Sequence, residues 1–139
     1  MIQSDSPQRL RAWIDAIAPA DVEAAENTAL LSMDGALCRE PGGRTAGALA
    51  GVLFNDHTVS APLVDRGLLG ADASHSELVA AAVGQGGPNG LASLRMQGVG
   101  MVFHVAQRQA LAWSGAVGVA PLYLARLEGG WAATTDLRV

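Results

Sequence analysis

The sequence predicts an α+β domain of mostly antiparallel β-sheets with flanking helices. Three observations predict it. Apolar runs of strand length are separated by turn residues, only two helix starts carry a clear cap, and strands and helices do not alternate as a doubly wound parallel sheet requires.

Ser6-Pro7 has the form of an N-cap followed by the first helical position. Leu10, Trp13, Ile14 and Ile17 follow at helical spacing, so a short amphipathic helix is expected to end near Pro19. Thr28 to Met33 and Ala36 to Arg39 flank Asp34-Gly35, a strong two-residue hairpin signal, and are expected to pair. Pro41-Gly42-Gly43 is a loop. Thr45 to Phe54 is too apolar to face water on both sides and predicts a buried strand, ended by Asn55-Asp56-His57. Ser74-His75-Ser76-Glu77 is a capping box before Leu78 to Val83, and that helix should stop within the glycine-rich stretch from Gly84 to Gly90. A short helix through Leu91 and Leu94 comes next. Val99 to Val105 and Gln109 to Trp113 then form one hairpin, Pro121 to Leu127 and Trp131 to Thr135 another.

With 139 residues the chain suits one domain, 1–139, large enough to bury about 70% of its unfolded surface. Half of the residues are hydrophobic and 16% are charged, which excludes a disordered segment. The net charge is −4 and all nine basic residues are Arg, scattered singly, so nucleic acid is not an expected partner. No apolar run approaches the roughly 20 residues that cross a bilayer, so no membrane role is expected either. Cys38 is the sole cysteine and no signal peptide precedes it, which points to a soluble cytoplasmic domain.

Chemistry-bearing candidates are few. The glycine-rich stretch follows a helix and lacks the Lys-Ser/Thr of a phosphate loop, so it reads as a loop. His57, His75 and His104 have neither i, i+4 pairing nor a cysteine companion, and no metal site is expected. A Cys38 nucleophile needs a nearby base or a lowered pKa, and nothing local supplies one. Alternation around Leu30, Met33 and Leu37 favours a buried strand thiol instead.

The last third of the chain is more specific. Gly118-Val119-Ala120-Pro121-Leu122-Tyr123, then Gly129-Gly130-Trp131-Ala132-Ala133-Thr134-Thr135-Asp136-Leu137-Arg138, resembles the end of the glutaminase domain in the asparagine synthetase family. There a G-[VI]-x-P-L-Y strand and a Gly-Gly hairpin lead into an F-A-S-E strand. Leu53-Phe54-Asn55-Asp56-His57 stands where that family has F-N-G-E, and Ala73-Ser74-His75-Ser76-Glu77-Leu78 where it has S-D-T-E. Leu94 to Gly98 stands where it has L-x-x-G, and the spacing from Gly98 to Pro121 is similar to that of the β-lactam synthetase branch. The resemblance covers 45–139 and leaves 1–44 unassigned.

The resemblance implies a reduced N-terminal-nucleophile hydrolase sandwich and a lost activity. Active members of that class use a cysteine directly after the initiator Met, with its α-amine as base. Here the second residue is Ile2, so no catalytic residue is expected. Cleavage before Cys38 would expose a thiol, but one far closer to Asn55 than the family's spacing allows. The resemblance implies a vestigial substrate pocket at Asn55, Asp56, His75 and Glu77. Asp56 replaces the glycine of the oxyanion hole, where one lost donor costs about 3 kcal/mol. His75 replaces the carboxylate that holds the glutamine amino group, a charged contact of about 1.5–3 kcal/mol. The missing nucleophile outweighs both. The expected function is therefore a pseudoenzyme domain that packs against an ATP-dependent amide-forming synthetase, as in β-lactam synthetases and lasso-peptide cyclases. ATP and Mg would belong to that partner domain or subunit, with no cofactor in this chain. The sequence stops where the family's first domain gives way to its second. Two alternatives stand beside this: a small-ligand or peptide-binding module reusing the old glutamine pocket, and a glutaminase using Cys38.

Overall fold

The computed structural model describes residues 1–33, 37–105, 107–115 and 121–135. Strand β1 (Ile2–Ser4) leads into helix α1 (Pro7–Ile17). The Ser6 hydroxyl accepts from the Arg9 backbone N–H at 3.1 Å, the expected N-cap. Ala18 ends the helix in a left-handed turn, φ 50°, and Pro19 bars continuation. Strands β2 (Asp21–Ala25) and β3 (Thr28–Ser32) form a hairpin, then β4 (Cys38–Arg39) and β5 (Thr45–Leu53) follow. Helices α2 (Asp56–Asp65), α3 (His75–Gly86) and α4 (Pro88–Ala92) come next. The chain closes with hairpins β6 (Met96–His104)/β7 (Gln109–Ser114) and β8 (Tyr123–Leu127)/β9 (Gly130–Thr134). The class is α+β, and every strand pair is antiparallel.

The strands form two sheets, ordered β2-β3-β1-β9-β8 and β4-β5-β6-β7. Strand alternation divides the apolar side chains into three clusters and sets the layering. Ile2, Ala29 and Ala132 on the five-stranded sheet pack with Leu10, Trp13 and Ile14 of α1. Met1, Leu30 and Ala133 on its other face meet Ala46, Met101 and Phe103 of the four-stranded sheet. Leu49, Val102 and Trp113 on the far face of that sheet meet Leu63 of α2 and Leu78, Val79 and Val83 of α3. The order is therefore helix, sheet, sheet, helices. Among the described residues, no helix is long and apolar enough to cross a membrane.

The capping box forms as expected: Ser74 Oγ accepts from Glu77 N at 3.2 Å, and Glu77 Oε2 accepts from Ser74 N at 2.7 Å. Both terminal hairpins have the expected pairing. Two expectations need correction. Thr28–Ser32 and Cys38–Arg39 do not pair. Strand β3 has both edges occupied, by β2 and β1, so β4 joins β5 in the opposite sheet. Asp34-Gly35 lies outside the described residues, and so do Gly118 to Ala120 and Asp136 to Val139. Strand β5 is buried at its start and again at Leu53 but exposed from Ala50 to Val52. Strands β1 and β2 and helix α2 carry no strong sequence signal; α2 has Pro62 in its interior and little amphipathicity.

Three glycines permit the close β5–β6–β7 packing. A Cβ on Gly100 would overlap the Trp113 ring, so only glycine lets that indole lie flat on the sheet. Gly51 faces Gly98, whose φ of 141° excludes most side chains, and a Cβ on either would strike the opposite backbone.

Candidate functional site

The four residues expected to form a vestigial pocket fall near the start of α2 and the start of α3. Asn55 joins β5 to α2. Its amide donates to Ser93 O at 2.9 Å and accepts from Arg95 N at 2.7 Å, which fastens β5 to the connection before β6. Asp56 opens α2, where a carboxylate suits the positive end of the helix. The backbone N–H of His57 holds its carboxyl below the ordinary range, with the His57 and His75 imidazoles adding to the effect. His75 opens α3, and its Nε2 lies 3.6 Å from Asp56 Oδ2. The fold therefore brings Asp56 and His75 together. Glu77 turns back on its own helix to cap Ser74.

Further contacts seat this end of α3. Ser76 Oγ accepts from Leu49 N at 3.0 Å, satisfying a β5 amide beyond the reach of the two-residue β4. Cys38 Sγ lies 3.6 Å from Ser74 Oγ. The thiol is half-buried on an edge strand, whereas alternation predicted a buried one; β4 is too short and too peripheral to enclose it. His104 is buried opposite Thr45, at the other end of β5 from Asn55, and its Nδ1 accepts from Gln107 N at 3.2 Å. Among the described residues, no three His, Cys, Asp or Glu side chains converge as a metal site would require.

Three features escape sequence reasoning because they depend on register between distant strands. The first is the Met1 α-amine, which lies between the sheets and donates to Ala133 O at 2.8 Å and weakly to Met101 Sδ at 3.6 Å. Burial lowers its pKa to about 6. The second is Arg39, which reaches from β4 to Glu23 Oε2 at 2.8 Å and Asp21 Oδ1 at 3.2 Å on β2, clasping the two sheets along one side. The guanidinium beside Asp21 pulls that carboxyl below its usual range. The third is an open groove of about 700 Å³ on the five-stranded sheet, lined by residues that include Gln3, Asp5, Leu124, Arg126 and Trp131. A neighbouring one of about 350 Å³ is bounded by Arg9, Trp13, Leu127 and Glu128. Neither is lined by Asn55, Asp56, His75 or Glu77.

No protein-family model matches the chain, and no curated protein matches its sequence.

Proposed function

We propose that this chain is a non-catalytic, glutaminase-like domain that packs against an ATP-dependent amide-forming synthetase domain or subunit. The observation that carries the reading is the use made of the residues at the old glutamine shell. Asn55 bonds the α4–β6 connection through both ends of its amide, and Glu77 caps α3. These side chains serve the scaffold. The residue after Met1 is Ile2, so the thiol or hydroxyl that would open a glutamine amide is missing from the position where the resemblance requires it. The helix–sheet–sheet–helix layering supports the same reading. ATP and Mg would be held by the partner, which activates a carboxylate for amide formation.

The test is co-purification of the tagged chain from its native lysate, with bound proteins identified by mass. A stoichiometric partner carrying an ATP-pyrophosphatase loop is the expected outcome. A chain that purifies alone would remove the reading, and glutamine-dependent ammonia release abolished by Cys38→Ala would replace it with an active glutaminase.

A second reading has one observation in its favour. Asp56 and His75, 3.6 Å apart and both partly exposed, present an acceptor and an imidazole side by side at two helix starts. That pair suits a cationic or neutral ligand better than glutamine. A thermal shift with millimolar amino acids, absent in Asp56→Asn, is the result this reading requires.

A further inference from the structure

The groove beside Arg126 belongs to the five-stranded sheet, away from the two helix starts that carry Asp56 and His75, and has a chemistry of its own. Strand β8 is the outermost strand of the five-stranded sheet, and among the described residues nothing pairs with its outer edge. Cross-strand register places Gln3, Trp131 and Arg126 in one row across β1, β9 and β8, on the face that elsewhere forms the core between the sheets. Leu124, two residues from Arg126 on the same face, is 74% exposed, and Tyr123 beside it is 37% exposed. Edge strands with exposed apolar residues and free backbone groups are templates for another strand.

The polar lining has a consistent sign. The Gln3 amide oxygen accepts from the Trp131 indole N–H, and among the described residues the Gln3 amide hydrogens have no acceptor. Both Asp5 carboxylate oxygens are taken by Arg9, at 2.8 and 2.9 Å. Ser4 Oγ accepts from Ser6 N at 3.2 Å and lies 3.4 Å from Asp5 Oδ1. Arg126 has no carboxylate partner among the described residues. The side-chain acceptors of the groove are thus engaged, while a guanidinium and an amide remain as donors beside an indole and a leucine. The missing complement is rich in acceptors and partly apolar.

We propose that the β8 edge and the groove beside it bind an extended acidic peptide segment, which adds to the sheet as a strand. Its backbone would pair with β8, its apolar residues would lie on Leu124 and Trp131, and a carboxylate would meet Arg126. An isolated small carboxylate would use the guanidinium alone and leave the strand edge and Leu124 uncovered. The inference goes beyond the synthetase reading and does not depend on it: peptide uptake at β8 requires no ATP-dependent partner.

The test uses two fluorescein-labelled octapeptides, blocked at both ends, one alternating Leu and Glu and the other Leu and Lys, titrated with the full chain by fluorescence anisotropy. The Leu/Glu peptide is expected to bind at least tenfold more tightly than the Leu/Lys peptide. Arg126→Glu should remove or invert that preference, and Leu124→Asp should weaken Leu/Glu binding about tenfold. Circular dichroism establishes that each variant is folded; should Leu124→Asp not fold, Arg126→Gln carries the same comparison. Equal binding of both peptides, or binding indifferent to Arg126→Glu, would overturn the proposal. Competition by free glutamate at millimolar concentration would replace the peptide with a small anion. A dimer of the chain that Leu124→Asp dissociates would assign the edge to a second copy.

Discussion

The two sheets of this domain are finished differently. The four-stranded sheet is covered on both faces along its first half, by α3 on one side and the facing sheet on the other, and Thr45, Val102 and Phe103 are almost inaccessible there. The five-stranded sheet is equally well covered at β1 and β3, but its last strand overhangs the sandwich and leaves Leu124 in solvent. Both regions are regular antiparallel β-structure with apolar residues. Backbone pairing therefore says little about where the stability lies; the second layer decides it.

That contrast can be broken most severely in its covered half. Phe103→Ala removes a side chain with no exposure from between the sheets and is expected to cost about 3–5 kcal/mol in urea unfolding. A cost below about 1 kcal/mol would mean that the inter-sheet core is loosely packed. The next effect concerns the amine at the same interface. The Met1 amino group titrates at about 6 when folded against 8.0 when free, so between these values the unfolded chain binds a proton that the folded chain lacks. Stability should be full above pH 8, fall between pH 8 and about 6, and level off below that, a loss of roughly 3 kcal/mol for a shift of about two pKa units. Urea midpoints at pH 5.5, 7 and 8.5 measure this, and a flat profile would place the amine in water.

Smaller effects sharpen the same picture. Ser74→Ala removes the α3 cap and its half of the capping box, and about 1 kcal/mol of stability should go with it in thermal unfolding. Leu124→Ser, on the overhanging strand, should shift stability by less than about 0.5 kcal/mol despite replacing a leucine within a sheet. A larger loss from Leu124→Ser would show that β8 is covered in solution.

The contrast between the regions also explains what could be read from the sequence. The α1 and α3 caps are legible because a cap is a local device: Ser6 with Pro7, and Ser74 with Glu77, act within three residues. The hairpins β6–β7 and β8–β9 are legible for the same reason, since each pairs across one short turn. The hairpin expected at Asp34-Gly35 fails because a turn signal does not say which edges are free. Strand β3 had already given both of its edges to β1 and β2. Strand β1 is three residues long and is held by partners at opposite ends of the chain, β3 and β9, so no window of sequence reveals it. At the candidate site, the identities of Asn55, Asp56, His75 and Glu77 came from resemblance, and the approach of Asp56 to His75 became visible only in the fold. The structural work of Asn55 and the groove beside Arg126 required register, which pairs Gln3 with Trp131 across more than a hundred residues.

The facing glycines of β5 and β6 have a consequence for descent. Gly51 and Gly98 touch backbone to backbone, and Gly100 lies under the Trp113 ring, so neither polarity nor volume can vary at these three positions without moving two strands. Most of the surface is free to drift while these positions are not. Relatives too diverged for their remaining residues to align should still carry the three glycines in register with a tryptophan on the following strand, and that pattern would mark a common ancestor after the rest of the resemblance has been erased.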